Sequence, residues 1–275
     1  MMDSKATPQA DIGVFGGSGF YTFTDDDSLP GDLRLEATDT FTMDSEWGEP
    51  SSPVTIVRIR LHNGALARVA FLARHGLKHQ HPPHRVNYRA NVDVMRQLGV
   101  KALVSPFAAG SLEPHIQPED FLVPDQIIDR TYGRGDTFHD HFPDGPNHMS
   151  FADPYDSQLR KTVLDAAQTS GVSVHPSGTV MVINGPRFAT RAESQWHRNA
   201  GCQVVNMTQA PEAPLAREAN IPYCGIALVT DYDAGLKELP DVEPVTQEKV
   251  MEVIDNNVSR VRELLFRAIP KFMAD

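Results

Sequence analysis

Cysteine is scarce: Cys202 and Cys224 are the only two in 275 residues. Two cysteines cannot staple a fold of this length, so the expectation is a hydrophobic core and a reducing, cytoplasmic compartment. A basic excess is also lacking. Lys and Arg number 25 against 36 Asp and Glu, a formal charge of −11, whereas a nucleic-acid binder needs a basic footprint. A phosphate site remains allowed, because a few buried Arg and backbone N–H groups suffice to hold an anion. No apolar run approaches the roughly 20 residues needed to span a membrane. The polar stretch Met1 to Ala10 has no apolar core of a signal peptide, and residues 1–10 are expected to be flexible. Repeats, low-complexity tracts and linkers are absent too, so 1–275 reads as one domain.

What is present is an alternation of strand and helix patterns. Ile12 to Gly16 is an apolar run into Gly16-Gly17-Ser18-Gly19, a buried strand entering a glycine turn. Val54 to Leu61 and Ala65 to Leu72 read as a hairpin about Asn63-Gly64. Asn87 to Leu98 has helical spacing and stops at Gly99. Lys101 to Pro106 reads as a strand ending before Ala108-Ala109-Gly110-Ser111, and Phe121 to Ile128 as one more apolar run. Tyr132 to Ala152 is a long polar loop, of a length that is usually functional or disordered. Asp156 caps a helix. Thr179 to Ile183 is a strand broken by Asn184-Gly185-Pro186, and Thr190 to Glu193 has the capping-box form. Val204-Val205 ends in Asn206-Met207-Thr208, Pro211-Glu212 opens a helix, and Ile226 to Val229 leads into Thr230-Asp231-Tyr232-Asp233. The last helix carries Val250, Val253, Ile254, Val258, Val261, Leu264, Leu265 and Ala268 on one stripe and is expected to end at Pro270. The class is α/β. Gly16, Ala108, Asn184, Asn206 and Asp231 follow strand ends, where α/β sheets bind ligands, so these segments should converge on one site.

Taken singly, the polar segments have bland readings. Gly16-Gly17-Ser18-Gly19 can wrap N–H groups around a phosphate, but alone it more often marks a tight glycine turn, and its spacing is not the dinucleotide G-x-G-x-x-G. Arg74-His75 at a strand end offers a forked donor to phosphate or a surface ion pair. His75, His79, His81 and His84, and separately His139-Asp140-His141, suggest a metal. Their spacing fits no regular geometry, Pro82-Pro83 interrupts the first set, and no Cys completes either, so no metal is expected.

Taken together, the segments carry a resemblance. Ile12-Gly13-x-x-Gly16-Gly17-Ser18-Gly19, Ala73-Arg74-His75-Gly76, Val86-Asn87-Tyr88-x-Ala90-Asn91 and Gly110-Ser111-Leu112 match, in order, the 5'-methylthioadenosine phosphorylases of the trimeric purine nucleoside phosphorylase type. So do Ile116-Gln117-Pro118-x-Asp120, Asp129-Arg130-Thr131, Gly185-Pro186-Arg187-Phe188-x-x-Arg191-Ala192-Glu193-Ser194, Asn206-Met207-Thr208 and Thr230-Asp231-Tyr232-Asp233. The match runs from about Ile12 to Pro270. The resemblance implies a twisted mixed sheet, partly closed into a barrel and surrounded by helices. It also implies a homotrimer with active sites at subunit interfaces, acting on a purine nucleoside and phosphate. Phosphate, a co-substrate, would be held by Ser18, Arg74, His75, the Ala108 backbone and Thr208. The nucleoside would meet Phe188, Asn206, Met207, Gln247 and Val250, with His148 supplied by a neighbouring subunit. Asp231 and Asp233 would hold and activate adenine, and no metal or organic cofactor is implied.

Two positions depart from the family pattern. Phe107 stands where a Thr phosphate ligand is common, and Gln247 where methylthio-specific members carry a small apolar residue, so adenosine enters as a second candidate substrate. The other readings are a 6-oxopurine or methylthioinosine phosphorylase, a nucleosidase using water, and a non-catalytic nucleoside-binding protein. The related 6-oxopurine enzymes carry Asn at the position of Asp231 and Glu at that of Ala189. The phosphate set disfavours a nucleosidase, and Asp231 disfavours a dead module.

Overall fold

The computed structural model describes residues 8–23, 29, 33–143, 145–236, 239 and 241–274. Of the expected flexible terminus 1–10, the first seven positions lie outside the described residues.

A mixed eleven-stranded sheet has helices on both faces. Strand β1 (Ile12–Gly16) lies between β4 (Leu66–Ala73) and β5 (Ala102–Ser111), parallel to both. All five of its residues are buried, which is why the run is apolar without alternation. Successive side chains still go to opposite faces. Ile12 and Val14 join a core with α2 (Ser157–Ala167) and α5 (Gln247–Phe272); Phe15 joins one with α1 (Tyr88–Gln97) and α4 (Gln209–Glu218). The hairpin of β3 (Val54–Arg60) and β4 turns at Gly64, whose φ of 81° suits glycine. Beyond β3 lies β2 (Arg34–Phe41), an exposed edge strand that no apolar pattern announces.

The sheet forks at β5. Strand β11 (Tyr223–Asp231) pairs along one edge, from Leu103 to Gly110. The other edge is covered by β1 as far as Val104 and by β10 (Val204–Asn206) from Gly110 onward. Between those points no strand pairs this edge among the described residues. One arm of the fork continues through β9 (Thr179–Val182) to β7 (Gln126–Asp129), the other through β6 (Phe121–Leu122) to β8 (Val174–His175). The result is the partly closed, helix-surrounded sheet expected.

Several boundaries differ from the sequence reading. Strand β5 passes Pro106 and runs to Ser111, so Ala108 lies within a strand rather than after one. Proline removes one donor, and β11 and β10 supply partners on its far side. The run from Phe121 to Ile128 is two strands, β6 and β7, which join different arms. Helix α5 continues past Pro270 to Phe272, with Met273 N–H bonded to the Ile269 carbonyl at 3.2 Å, because proline near the end costs one ladder bond. Val253 and Val258 are only half-buried, while Asn257 is buried in the stripe and donates to the Val253 carbonyl at 2.8 Å. The caps at Asp156 and Thr190 form as read, the latter with both capping-box bonds. No helix or strand forms among the described residues of 132–152.

Candidate active site

A cavity of about 470 Å³ lies beside the fork. Of the expected site residues, all but His148 line it: Ser18 after β1, Arg74 and His75 after β4, Ala108 on β5, Phe188 after β9, Asn206, Met207 and Thr208 at the β10–α4 junction, Asp231 and Asp233 at the end of β11, and Gln247 and Val250 at the start of α5. His148 is exposed on the loop after β7, its ring edge-on to Phe142 at 5.5 Å.

The glycine turn permits close approach of three segments. A Cβ on Gly16 would lie 2.1 Å from the Phe20 carbonyl oxygen, and one on Gly17 would lie 2.9 Å from that of Pro106 and 3.2 Å from Arg74 Nη1. Only glycine lets β1 end here against β5 and leave Ser18 at the cavity.

Arg74 is 1% exposed. Its Nε and Nη2 bond the two carboxylate oxygens of Glu212, and Nη2 also bonds Ser105 Oγ. Ser105 Oγ and the Tyr223 hydroxyl both donate to Glu212 Oε2, at 2.7 and 2.9 Å. Burial pulls the Arg74 pKa down, but the Glu212 carboxylate more than offsets this and leaves it raised, so the cation persists in the interior. From sequence Glu212 reads only as the opening of a helix, since nothing local marks it as the partner of a residue 138 positions away.

His75 is buried, and its Nδ1–H donates to the His81 carbonyl at 2.8 Å. The ring stacks on His79 at 4.5 Å and 9°, and His79 Nδ1 in turn bonds the Tyr21 hydroxyl at 2.8 Å. Burial, then the Arg74 charge, push the His75 pKa down to about 3, so the imidazole is neutral. The histidine-rich segment thus packs against itself and the cavity wall. No group of three or more His, Cys, Asp or Glu fit to hold a metal occurs among the described residues.

Asn206 lines the cavity, yet its amide is engaged by the chain. Oδ1 accepts from the N–H groups of Thr208 and Gln209 at 2.6 and 2.9 Å, and Nδ2 donates to the Ala108 carbonyl at 2.9 Å. Asn206 thus also acts as a clamp that sets Ala108 and Thr208. Phe107 contributes no polar side-chain atom; it packs into a core with Ala109, Val180 and Val229.

At the far end, the β5–β11 register slips between Val229 and Asp231, so Thr230 is an extra residue in the ladder. Such a bulge re-aims the side chain that follows it. Asp231 Oδ2 accepts from the Thr230 hydroxyl and Oδ1 from the Asp233 N–H, both at 2.7 Å. Burial, with a smaller contribution from Asp233, raises the Asp231 pKa to about 6. Asp233 is 1% exposed with φ of 47°, a left-handed conformation that Asp tolerates. Its pKa is raised by burial, and its Oδ2 is buried without a hydrogen-bond partner among the described residues. A buried polar atom in that condition calls for a proton or a ligand donor. Gly110 stands opposite, where a Cβ would lie 2.9 Å from Asp231 Oδ1.

Thr246 caps α5 by accepting from Lys249 N–H at 3.3 Å, which sets Val250 buried in the wall and Gln247 exposed at the rim. Sequence reading did not pick out His79, Pro82, Pro83 or Ile183 as cavity residues; Pro and Ile carry no chemical signal that would reveal them.

The chain matches the family described as the phosphorylase superfamily over residues 28–270. It is 45% identical over 260 residues to the S-methyl-5'-thioadenosine phosphorylase of Mycobacterium tuberculosis, covering 94% of this chain and 89% of that relative. It is 44% identical over 267 residues to the purine nucleoside phosphorylase of Streptomyces coelicolor, covering 95% and 89%. A solved structure of methylthioadenosine phosphorylase from Schistosoma mansoni in complex with adenine aligns with a TM-score of 0.83 and 34% identity, covering 97% of this chain and 93% of that one. The chain belongs to the phosphorylase superfamily, among its methylthioadenosine phosphorylase-like pentosyltransferases.

Removing one partner of a buried ion pair strands the other charge. Glu212→Gln is therefore expected to destabilise the fold by about 3–5 kcal/mol, read by urea denaturation. A loss below about 1 kcal/mol, the scale of an ordinary hydrogen bond, would show that Arg74 does not need Glu212 as its counter-charge.

Proposed function

We propose that the cavity takes a 6-aminopurine nucleoside at the Asp231–Asp233 end and inorganic phosphate at the end lined by Ser18, Arg74, His75, Ala108 and Thr208. The enzyme phosphorolyses 5'-methylthioadenosine, adenosine or both, yielding adenine and the corresponding ribose 1-phosphate, a reaction of purine salvage. The observation that carries this reading is the presence, in one cavity, of two carboxyl groups held back from ionising and a turn region built around a buried Arg.

Breaking the N-glycosidic bond leaves positive charge on the ribose and negative charge on the purine, and both must be stabilised. A phosphate oxygen attacks C1' as N9 departs. Phosphate beside C1' also balances the developing oxocarbenium charge. Asp231, in its protonated form, donates to N7 and makes adenine a better leaving group. A pKa of about 6 keeps part of the population protonated near neutrality. Met207 lies under the ribose and Phe188 against the base. Ala189 cannot bond the N1–H of a 6-oxopurine, and an unpaired buried polar group costs roughly 1–3 kcal/mol, so adenine should be preferred. The chemistry needs no metal or organic cofactor.

His148 lies outside the cavity of its own chain, on a loop that also exposes Tyr132, Phe142 and Met149. A homotrimer in which a neighbour's loop completes the 5' pocket accounts for both features. The two buried free cysteines suit a cytoplasmic enzyme.

Adenine release is expected to require phosphate and to yield a ribose 1-phosphate; equal turnover in phosphate-free buffer would refute the phosphorylase assignment. Deprotonating Asp231 removes its donor, so kcat/KM for the nucleoside should fall as pH rises through about 6. Asp231→Asn should remove that limb, lower activity on adenosine and lower the adenosine-to-inosine ratio, since the amide can donate to a 6-oxo group. A wild-type profile flat through this range would exclude Asp231 as the acid. Gln247 offers a donor and an acceptor at the rim, so Gln247→Val should shift preference from adenosine towards methylthioadenosine by roughly 1–2 kcal/mol. An unchanged preference in a side-by-side assay would mean that Gln247 faces only water.

A further inference from the structure

We propose that His75 selects among tetrahedral anions by accepting a hydrogen bond from the anion's own hydroxyl, so that the site takes phosphate and arsenate and discriminates against sulfate. This rests on the phosphorylase reading above and adds a selection rule to its phosphate site.

A carbonyl oxygen can only accept, so the 2.8 Å bond from His75 Nδ1 to the His81 carbonyl places the ring proton on Nδ1. In the neutral ring Nε2 then carries a lone pair and no hydrogen. The ring is not free to turn over. Its face is stacked on His79 at 4.5 Å, and the His81 N–H bonds back to the His75 carbonyl at 3.0 Å, which fixes the acceptor for Nδ1. A second proton on Nε2 would place a buried cation beside Arg74. Burial and that neighbouring charge both oppose it and hold the imidazole neutral.

Among the described residues Nε2 makes no hydrogen bond, on a residue that lines the cavity. The other groups proposed to hold phosphate have different capacities. Arg74 only donates, and the hydroxyls of Ser18 and Thr208 serve either way. His75 Nε2 only accepts, so a bound anion must present a donor to it. Near neutrality phosphate and arsenate keep at least one proton, whereas sulfate keeps none. Sulfate would set an oxygen against a nitrogen lone pair, and sites built to pair with a ligand hydrogen reject analogues lacking it. The hydrogen bond requires no proton transfer: the anion keeps its hydrogen.

The test uses the full chain in the phosphate-dependent cleavage assay. Arsenate is varied as the replacing co-substrate and sulfate as the inhibitor competing with phosphate. Arsenate should have a KM within a few-fold of that for phosphate, and the sulfate inhibition constant should lie at least about tenfold higher. His75→Ala and His75→Gln should raise the phosphate KM and narrow the gap between sulfate and arsenate. A higher phosphate KM with the sulfate-to-arsenate ratio unchanged overturns the inference and leaves the phosphate assignment standing. An unchanged phosphate KM in a folded variant, or no phosphate dependence in the wild type, overturns the underlying reading and the inference with it. Should the variants not fold, nitrogen-15 histidine spectra of the wild-type protein decide: an Nδ1–H, Nε2-bare His75 supports the inference, and an Nε2–H tautomer overturns it.

Discussion

The sheet cannot close on itself at β5, and the rest of the site is arranged around that gap. A strand paired on one edge only must find other partners for its backbone groups, or leave them to solvent or a ligand. From Ser105 to Ala109 the open edge of β5 is met by side chains in place of a strand. Arg74 reaches the Pro106 carbonyl through Nη1 and Nη2, both at 3.4 Å, and Asn206 takes the Ala108 carbonyl at 2.9 Å. What those groups leave uncovered faces the cavity. The same discontinuity that interrupts the ladder supplies the concave surface, as at other points where neighbouring strands diverge in an α/β sheet.

Bringing Arg74 into that gap makes a second demand. A fully buried guanidinium is tolerable only with a counter-charge and with its remaining donors satisfied. Glu212 meets the first condition, and Ser105 and the Pro106 carbonyl meet the second. Glu212 sits in the first turn of α4, and the Asn206 side chain holds the N–H groups of Thr208 and Gln209 just ahead of it. The docking of α4 and the geometry of the cavity's Arg74 wall are therefore one problem with one solution. A change to any member of the group is felt by the others, so mutational effects within it are not additive.

Much of this was readable from sequence, and the exceptions share a cause. Strands whose two faces are both buried, such as β1, announce themselves as unbroken apolar runs. The caps at Asp156 and Thr190 were legible because they depend on neighbours three residues away. Strand β2 escaped notice because it is an exposed edge whose residues need no apolar pattern. The extent of β5 past Pro106 was hidden because its partners there, β10 and β11, come from a distant part of the chain. At the site, the ordered motifs pointed to the residues that line the cavity. The clamp that Asn206 makes was not legible, because nothing in the sequence near it marks the Ala108 carbonyl as its partner. Glu212 was missed outright, being meaningful only through Arg74. Pattern reveals periodicity and local bonds; it does not reveal a charge matched across more than a hundred residues.

The two ends of the cavity follow opposite electrostatic rules, and the proposed reaction needs both. At one end a cation is kept ionised by a carboxylate behind it, and the adjoining imidazole is kept neutral. At the other, two carboxyls are drawn towards neutrality, chiefly by burial, with a smaller push from Asp233 on Asp231 and from Glu193 on Asp233. Had Asp231 and Asp233 ordinary pKa values, an entering phosphate would share a low-dielectric cavity with two full negative charges, and repulsion would oppose binding both substrates together. Raising those pKa values lessens that conflict before any ligand arrives. On the proposed reading, the coupling also runs in the useful direction. A bound anion adds negative charge to the cavity and so favours the protonated form of Asp231 still further. The nucleophile thereby strengthens the acid that must act at N7, and cleavage of the glycosidic bond becomes most favourable when phosphate is already in place to receive the ribose.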